Sequence, residues 1–152
     1  MFSLRNGVDM LKVLLVDNTE SQRAWLRMII QRYRGDWDII ECARIEDVFS
    51  LLHDPGVSDL AVAVVDQFLT VPPSYDDPEG NKLLVEIRQR YPRCYCILIV
   101  GKNVHEWQVP NDGSVDEFVS VHVVREDRQS QLENALDHAI ERISQLPTLL
   151  RF

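Results

Sequence analysis

Three short runs, almost unbroken by polar residues, constrain this chain most: Leu11-Lys-Val-Leu-Leu-Val16, Leu60-Ala-Val-Ala-Val-Val65 and Cys94-Tyr-Cys-Ile-Leu-Ile-Val100. Each has the length of a β-strand, and none alternates apolar with polar residues as a half-exposed strand does. Such strands need cover on both faces, the condition met inside a parallel sheet flanked by helices. The first run leads into Asp17-Asn18 and the second into Asp66. In open α/β sheets the ligand crevice lies beyond the carboxyl ends of the strands, where strand order reverses. Two acids ending neighbouring parallel strands would share that crevice.

The segments between the runs carry helix and turn signals. Thr19 or Ser21 can cap a helix reaching about Arg34, with Trp25, Leu26, Ile29, Ile30 and Tyr33 on one face and Gly35 as its stop. Trp37-Asp-Ile-Ile-Glu-Cys42 reads as a mixed strand suited to a sheet edge, and Trp25 as core. A second helix spans about Ile45 to His53 and ends at Asp54-Pro-Gly56. A loop from Gln67 to Glu79 holds Pro72, Pro73 and Pro78, and a helix follows from about Gly80 to Tyr91. Gly101 to Asp116 is weakly helical, with Pro110 and Gly113 interrupting it. Glu117-Phe-Val-Ser-Val-His122 reads as a fifth strand, and the last helix runs from about Glu126 to Leu146, stopped by Pro147. Alternation of strands and helices predicts a doubly wound α/β sheet in the parallel order 2-1-3-4-5. Residues 1–146 read as one domain, and 147–152 as a tail or the start of a linker.

Composition excludes several functions. The chain has 152 residues and a formal net charge of -8. That length supports one sizeable core, and that charge opposes broad contact with nucleic-acid phosphate. The apolar runs are too short to span a bilayer, and Met1-Phe-Ser-Leu-Arg-Asn-Gly7 lacks the apolar stretch of a signal peptide. A cytoplasmic location is the default expectation. Cys42, Cys94 and Cys96 form no C-x-x-C pair, and read as buried thiols in a reducing compartment. His53, His105, His122 and His138 lack zinc-ligand spacing.

Val13-Leu-Leu-Val-Asp17-Asn18, Val64-Val-Asp66, the Glu79-Gly80-Asn-Lys-Leu-Leu84 helix start and the closing helix together resemble the receiver domain of bacterial two-component response regulators. The resemblance covers about Leu11 to Ile143. It implies a flavodoxin-like (βα)5 three-layer sandwich. It also implies a role in phosphorelay signal transduction, with a histidine kinase or another signalling protein as partner and no catalytic activity of the domain's own. By that resemblance Asp66 is the phosphoacceptor. Asp17, Asn18, Asp66 and the backbone carbonyl of Phe68 would hold Mg²⁺. A carboxylate attacking phosphorus must approach another anion, so a divalent cation has to offset the repulsion. Asn18 stands where a second acid is usual, which removes one negative charge and implies weak Mg²⁺ binding.

Further departures from the family pattern concern its switch. Gly101 stands where a Ser or Thr hydroxyl would bond the phosphoryl oxygen. Val121, followed by His122, stands where a lysine would pair with it. Phe118 occupies the aromatic switch position and has no hydroxyl. Lys102 is an alternative cation, or else an exposed loop lysine. The long loop after Asp66 is a lid, a source of added carboxylates from Asp76 or Asp77, or a solvated proline-rich insertion. The expectation is a divergent or pseudo-receiver, weakly phosphorylated or acting independently of phosphorylation through protein contacts.

Two other readings remain. A phosphatase of the haloacid dehalogenase type would use Asp17 as its nucleophile, but needs an acid two residues on, where Thr19 stands. A pure interaction module would use Trp107 as a partner site, or the last helix for homodimer pairing. The Leu132, Leu136, Ala139, Ile140 and Ile143 stripe of that helix reads first as core.

Overall fold

The computed structural model describes residues 11–54, 59–70, 78–101, 112–120 and 125–146. Lys102, Trp107, Val121, His122, Asp76, Asp77 and the 147–152 segment lie outside the described residues. In chain order the elements are β1 (Lys12–Val16), α1 (Glu20–Tyr33), β2 (Asp38–Cys42), α2 (Ile45–Leu52), β3 (Leu60–Asp66), α3 (Glu79–Arg90), β4 (Tyr95–Val100), β5 (Glu117–Ser120) and α4 (Arg125–Ser144). The five strands form one sheet in the order β2-β1-β3-β4-β5, and all four pairings are parallel.

Successive side chains of a strand point to opposite faces, and this alternation divides the core in two. Val13, Leu15, Val62, Val64, Ile97 and Ile99 face α1 and α4, meeting Leu26, Ile29, Ile30, Leu132, Leu136 and Ala139. Leu14, Val16, Ala63, Val65, Cys96 and Leu98 face α2 and α3, meeting Val48, Leu52, Leu83, Leu84 and Ile87. The result is a three-layer sandwich. The apolar stripe of α4 is consumed by the sheet, as its spacing suggests. Cys42, Cys94 and Cys96 are buried free thiols, with Cys94 and Cys96 in the same core layer.

Local chemistry shifts some expected boundaries. Trp37 precedes β2 instead of starting it. The ring is buried and sits 5.8 Å from Tyr33, tilted by 57°. Trp25 is only half-buried against its core layer, with the Arg128 guanidinium 5.3 Å above its ring. Thr19 is the N-cap of α1, but its side chain makes no capping bond. Instead its N–H donates to Asp17 Oδ1 at 2.8 Å, so the acid before the helix supplies the acceptor. Among the described residues no helix is long and apolar enough to cross a membrane.

Candidate functional site

The sheet brings the two strand-terminal acids together. β1 and β3 are neighbours with Val16 opposite Val65. One residue further, Asp17 and Asp66 leave the carboxyl ends of adjacent strands side by side. Backbone bonds fix both departures: Asp17 N–H donates to the Cys42 carbonyl at 3.2 Å and Gln67 N–H to the Ile99 carbonyl at 2.9 Å. Asp17 is fully buried, while Asp66 and Asn18 are half-buried.

The two carboxylates are held differently. Asp17 Oδ1 accepts the Thr19 N–H, and Oδ2 accepts the Gln22 side-chain amide at 2.5 Å. The main-chain carbonyl of Asp17 accepts Arg23 Nη1 at 2.7 Å. Burial raises the Asp17 pKa above the usual range, opposed by these hydrogen bonds and by the Arg23 charge. Asp66 Oδ1 lies 3.4 Å from the Phe68 N–H of its own loop, a weak bond. Burial first, and then the neighbouring Asp17 charge, push its pKa up to about 7, with the Phe68 and Gln67 N–H groups acting against the shift.

The chain beyond Asp66 is pinned by the start of α3. Gly80 N–H donates to the Gln67 carbonyl at 2.9 Å. A Cβ on Gly80 would overlap the Asp66 carbonyl oxygen and stand 2.7 Å from Gln67 Cα. Only glycine allows this approach. Glu79 Oε1 accepts the N–H groups of Leu69 at 3.1 Å and Thr70 at 3.2 Å, and the Thr70 hydroxyl at 3.1 Å. Glu79 and Gly80 therefore set the path of the segment that carries the Phe68 carbonyl. Neither Glu79 nor Gln22 emerges as a site residue from the sequence. An acid in a helix's first turn, able to reach back to preceding N–H groups, is the signal for Glu79. A polar residue one turn into α1, beside the strand end, is the weaker signal for Gln22.

The donor set is that of a hard cation. Among the described residues no group of three or more His, Cys, Asp or Glu side chains could hold a metal ion, so the two carboxylates would share any ion with other oxygen donors and with water. Asp17, Asp66, the Asn18 amide oxygen and the Phe68 carbonyl are all oxygen donors, which suits Mg²⁺. The repulsion between Asp17 and Asp66 is what a cation would offset. The residues fit a weakly held ion.

Of the remaining sequence-identified positions, Gly101 and Phe118 are among the described residues. Gly101 directly follows β4, and a Cβ built on it meets no described atom within 4 Å. Phe118 lies on β5 with its side chain 55% exposed, outside both core layers.

Comparison with known proteins places the fold. No protein-family model matches the chain, and no curated protein matches it. Solved structures do. A response regulator receiver domain protein from Clostridium thermocellum shares 15% identity at a TM-score of 0.67, covering 91% of this chain and 100% of its own. A CheY-like receiver domain protein from Methanospirillum hungatei JF-1 shares 14% identity at a TM-score of 0.70, covering 91% and 100%. The signal receiver domain of an HD domain-containing protein from Pseudomonas fluorescens Pf-5 shares 20% identity at a TM-score of 0.64, covering 90% and 99%. The chain has the fold of receiver domains.

Proposed function

We propose that this chain is a receiver-type signalling module, a single cytoplasmic domain over residues 1–146, in which Asp66 is a phosphoryl acceptor of weakened reactivity. The observation that carries the reading is the pairing of Asp17 and Asp66 at the ends of adjacent strands, at the point where strand order reverses. In this reading a carboxylate oxygen of Asp66 attacks phosphorus of a phosphohistidine donor on a histidine kinase. The O–P bond forms as the P–N bond breaks, and the histidine nitrogen departs. Mg²⁺, when bound, supplies positive charge between the carboxylates and the incoming phosphoryl group. Asp17, Asn18, Asp66 and the Phe68 carbonyl would hold it. Asp66 must be ionised to act, and burial beside Asp17 works against that at neutral pH.

The output side of the reading is reduced. Gly101 offers no hydroxyl to a phosphoryl oxygen, and Val121 offers no cation. A signal needs differential contacts in the two states, and these two are missing. Output then runs mainly through protein contacts, with the exposed Phe118 and the Trp107 segment as docking positions. A haloacid dehalogenase-type phosphatase gains no support, because Thr19, two residues after Asp17, has no carboxyl proton to give a leaving group.

Beryllofluoride, an imitation of the aspartyl phosphate, tests this in the full chain with and without Mg²⁺, followed by amide NMR. The expected result is saturable, Mg²⁺-dependent shifts confined to the neighbourhood of Asp17 and Asp66. Shifts that spread to Gly101 and Phe118 would show a fully coupled receiver. Silence at millimolar reagent would remove phosphoryl chemistry and leave a module acting by contact alone.

A further inference from the structure

Asp17 presents two carboxylate oxygens, and the donors on them are not equivalent. Oδ1 takes the Thr19 N–H, a main-chain group fixed by the start of α1. Oδ2 takes Nε2 of Gln22 at 2.5 Å, a side-chain group on rotatable bonds. An amide N–H and a metal ion seek the same lone pairs, and the positive amide hydrogens repel a cation brought to that oxygen. Arg23, the next residue, does not compete in this way. Its guanidinium bonds the main-chain carbonyl of Asp17 at 2.7 Å and lies 3.4 Å from Glu41, which Arg27 also holds at 2.8 Å. The arginine is thus bonded to main chain and to Glu41, while Gln22 occupies the carboxylate itself.

We propose that Gln22 is a latch that sets the divalent-cation affinity of this crevice. Its amide holds Asp17 Oδ2, and a cation gains that oxygen only when the Gln22 side chain turns away. The inference rests on the reading of Asp17 and Asp66 as a cation site. It makes residue 22 an affinity-setting position for the ion, acting through Asp17. Cation binding also becomes coupled to a rotamer change on α1. Asn18 has already removed one charge, so the latch decides how much affinity is left.

Mn²⁺ is the probe, followed in the full chain by paramagnetic broadening of amide resonances and by calorimetric titration. Gln22→Met keeps the length of the side chain and removes the donor. Gln22→Ala removes the side chain and guards against methionine obstructing the crevice. Both variants should bind Mn²⁺ about tenfold more tightly than the wild type, the scale of one hydrogen bond to a charged group. Broadening should centre on Asp17 and Asp66 and vanish when Asp17→Asn is added to Gln22→Met. Equal affinity in all three proteins, with broadening at the same centre, overturns the latch and leaves the cation site standing. Weaker binding in the variants overturns it too, by making Gln22 a ligand. Absence of binding in every protein at millimolar Mn²⁺ overturns the cation site and the latch together.

Discussion

Two glycines near Asp66 have opposite tolerance for a side chain. At Gly80 a Cβ would collide with main-chain atoms of Asp66 and Gln67, which cannot swing aside as a side chain can. Alanine's better helix propensity, about 1 kcal/mol, is smaller than the cost of moving β3 and α3 apart. Gly80→Ala should therefore destabilise the domain by about 2–3 kcal/mol, read as a lowered urea midpoint. Gly101 is the reverse case, with no described atom in the way of a Cβ. Gly101→Ser should leave stability within about 0.5 kcal/mol. It should also tighten beryllofluoride binding about tenfold, by restoring one hydroxyl donor to a charged ligand. Stability and affinity measured together separate these two outcomes. The acids were legible because each ends an apolar run. Gln22 and Glu79 were not, because their partners Asp17 and Leu69–Thr70 are set by how a helix start closes against a strand end.

Secondary elements were legible to within a residue or two where apolar periodicity is unbroken, as in β3 and α4. The exceptions have local causes, in the packing of Trp37 on Tyr33 and the use of Asp17 as acceptor at the start of α1. A tie between the helical layers was not legible. Asp116, just before β5, bonds Arg88 of α3 and Arg142 of α4 at 3.2 Å, and accepts the Cys96 N–H at 2.8 Å. The Asp116 side chain is 11% exposed, against 22% for Arg88 and 46% for Arg142. Beside it, Tyr95 donates to Glu117 at 2.8 Å and the Arg142 guanidinium lies 5.2 Å from the Tyr95 ring centre. Removal of Asp116 would take the carboxylate from a mostly buried guanidinium, leaving it the Pro92 carbonyl at 3.0 Å, and would take the acceptor from the Cys96 N–H, so Asp116→Ala should cost about 2–3 kcal/mol. Arg142→Ala removes the more exposed arm and should cost under about 1 kcal/mol. Denaturant unfolding with an unchanged m value checks both.

For the whole molecule, the acidic crevice sets a pH dependence. Asp66 has its pKa raised to about 7 by burial and by Asp17, against about 3.9 in an unfolded chain. Between those values the folded state binds the extra proton, so stability falls as pH rises through the window and levels off above it. In metal-free buffer Asp66→Asn should raise stability by about 2 kcal/mol at pH 8 and by little at pH 4. Thermal melts across pH 4–8 measure it, and a variant curve parallel to the wild type would contradict the assignment of the proton to Asp66. Global topology was legible because continuous apolar strands admit few arrangements, and the observed order β2-β1-β3-β4-β5 is the expected one. The Asp116 tie also keeps the scaffold apart from the candidate site. It secures both helical layers at the amino ends of β4 and β5, while the Asp17–Asp66 crevice lies at the carboxyl ends. Asn18 and Gly101 at that end are only half-buried, so a change of side chain there leaves the tie in place. The shape of the domain and the contents of its crevice can therefore be varied separately.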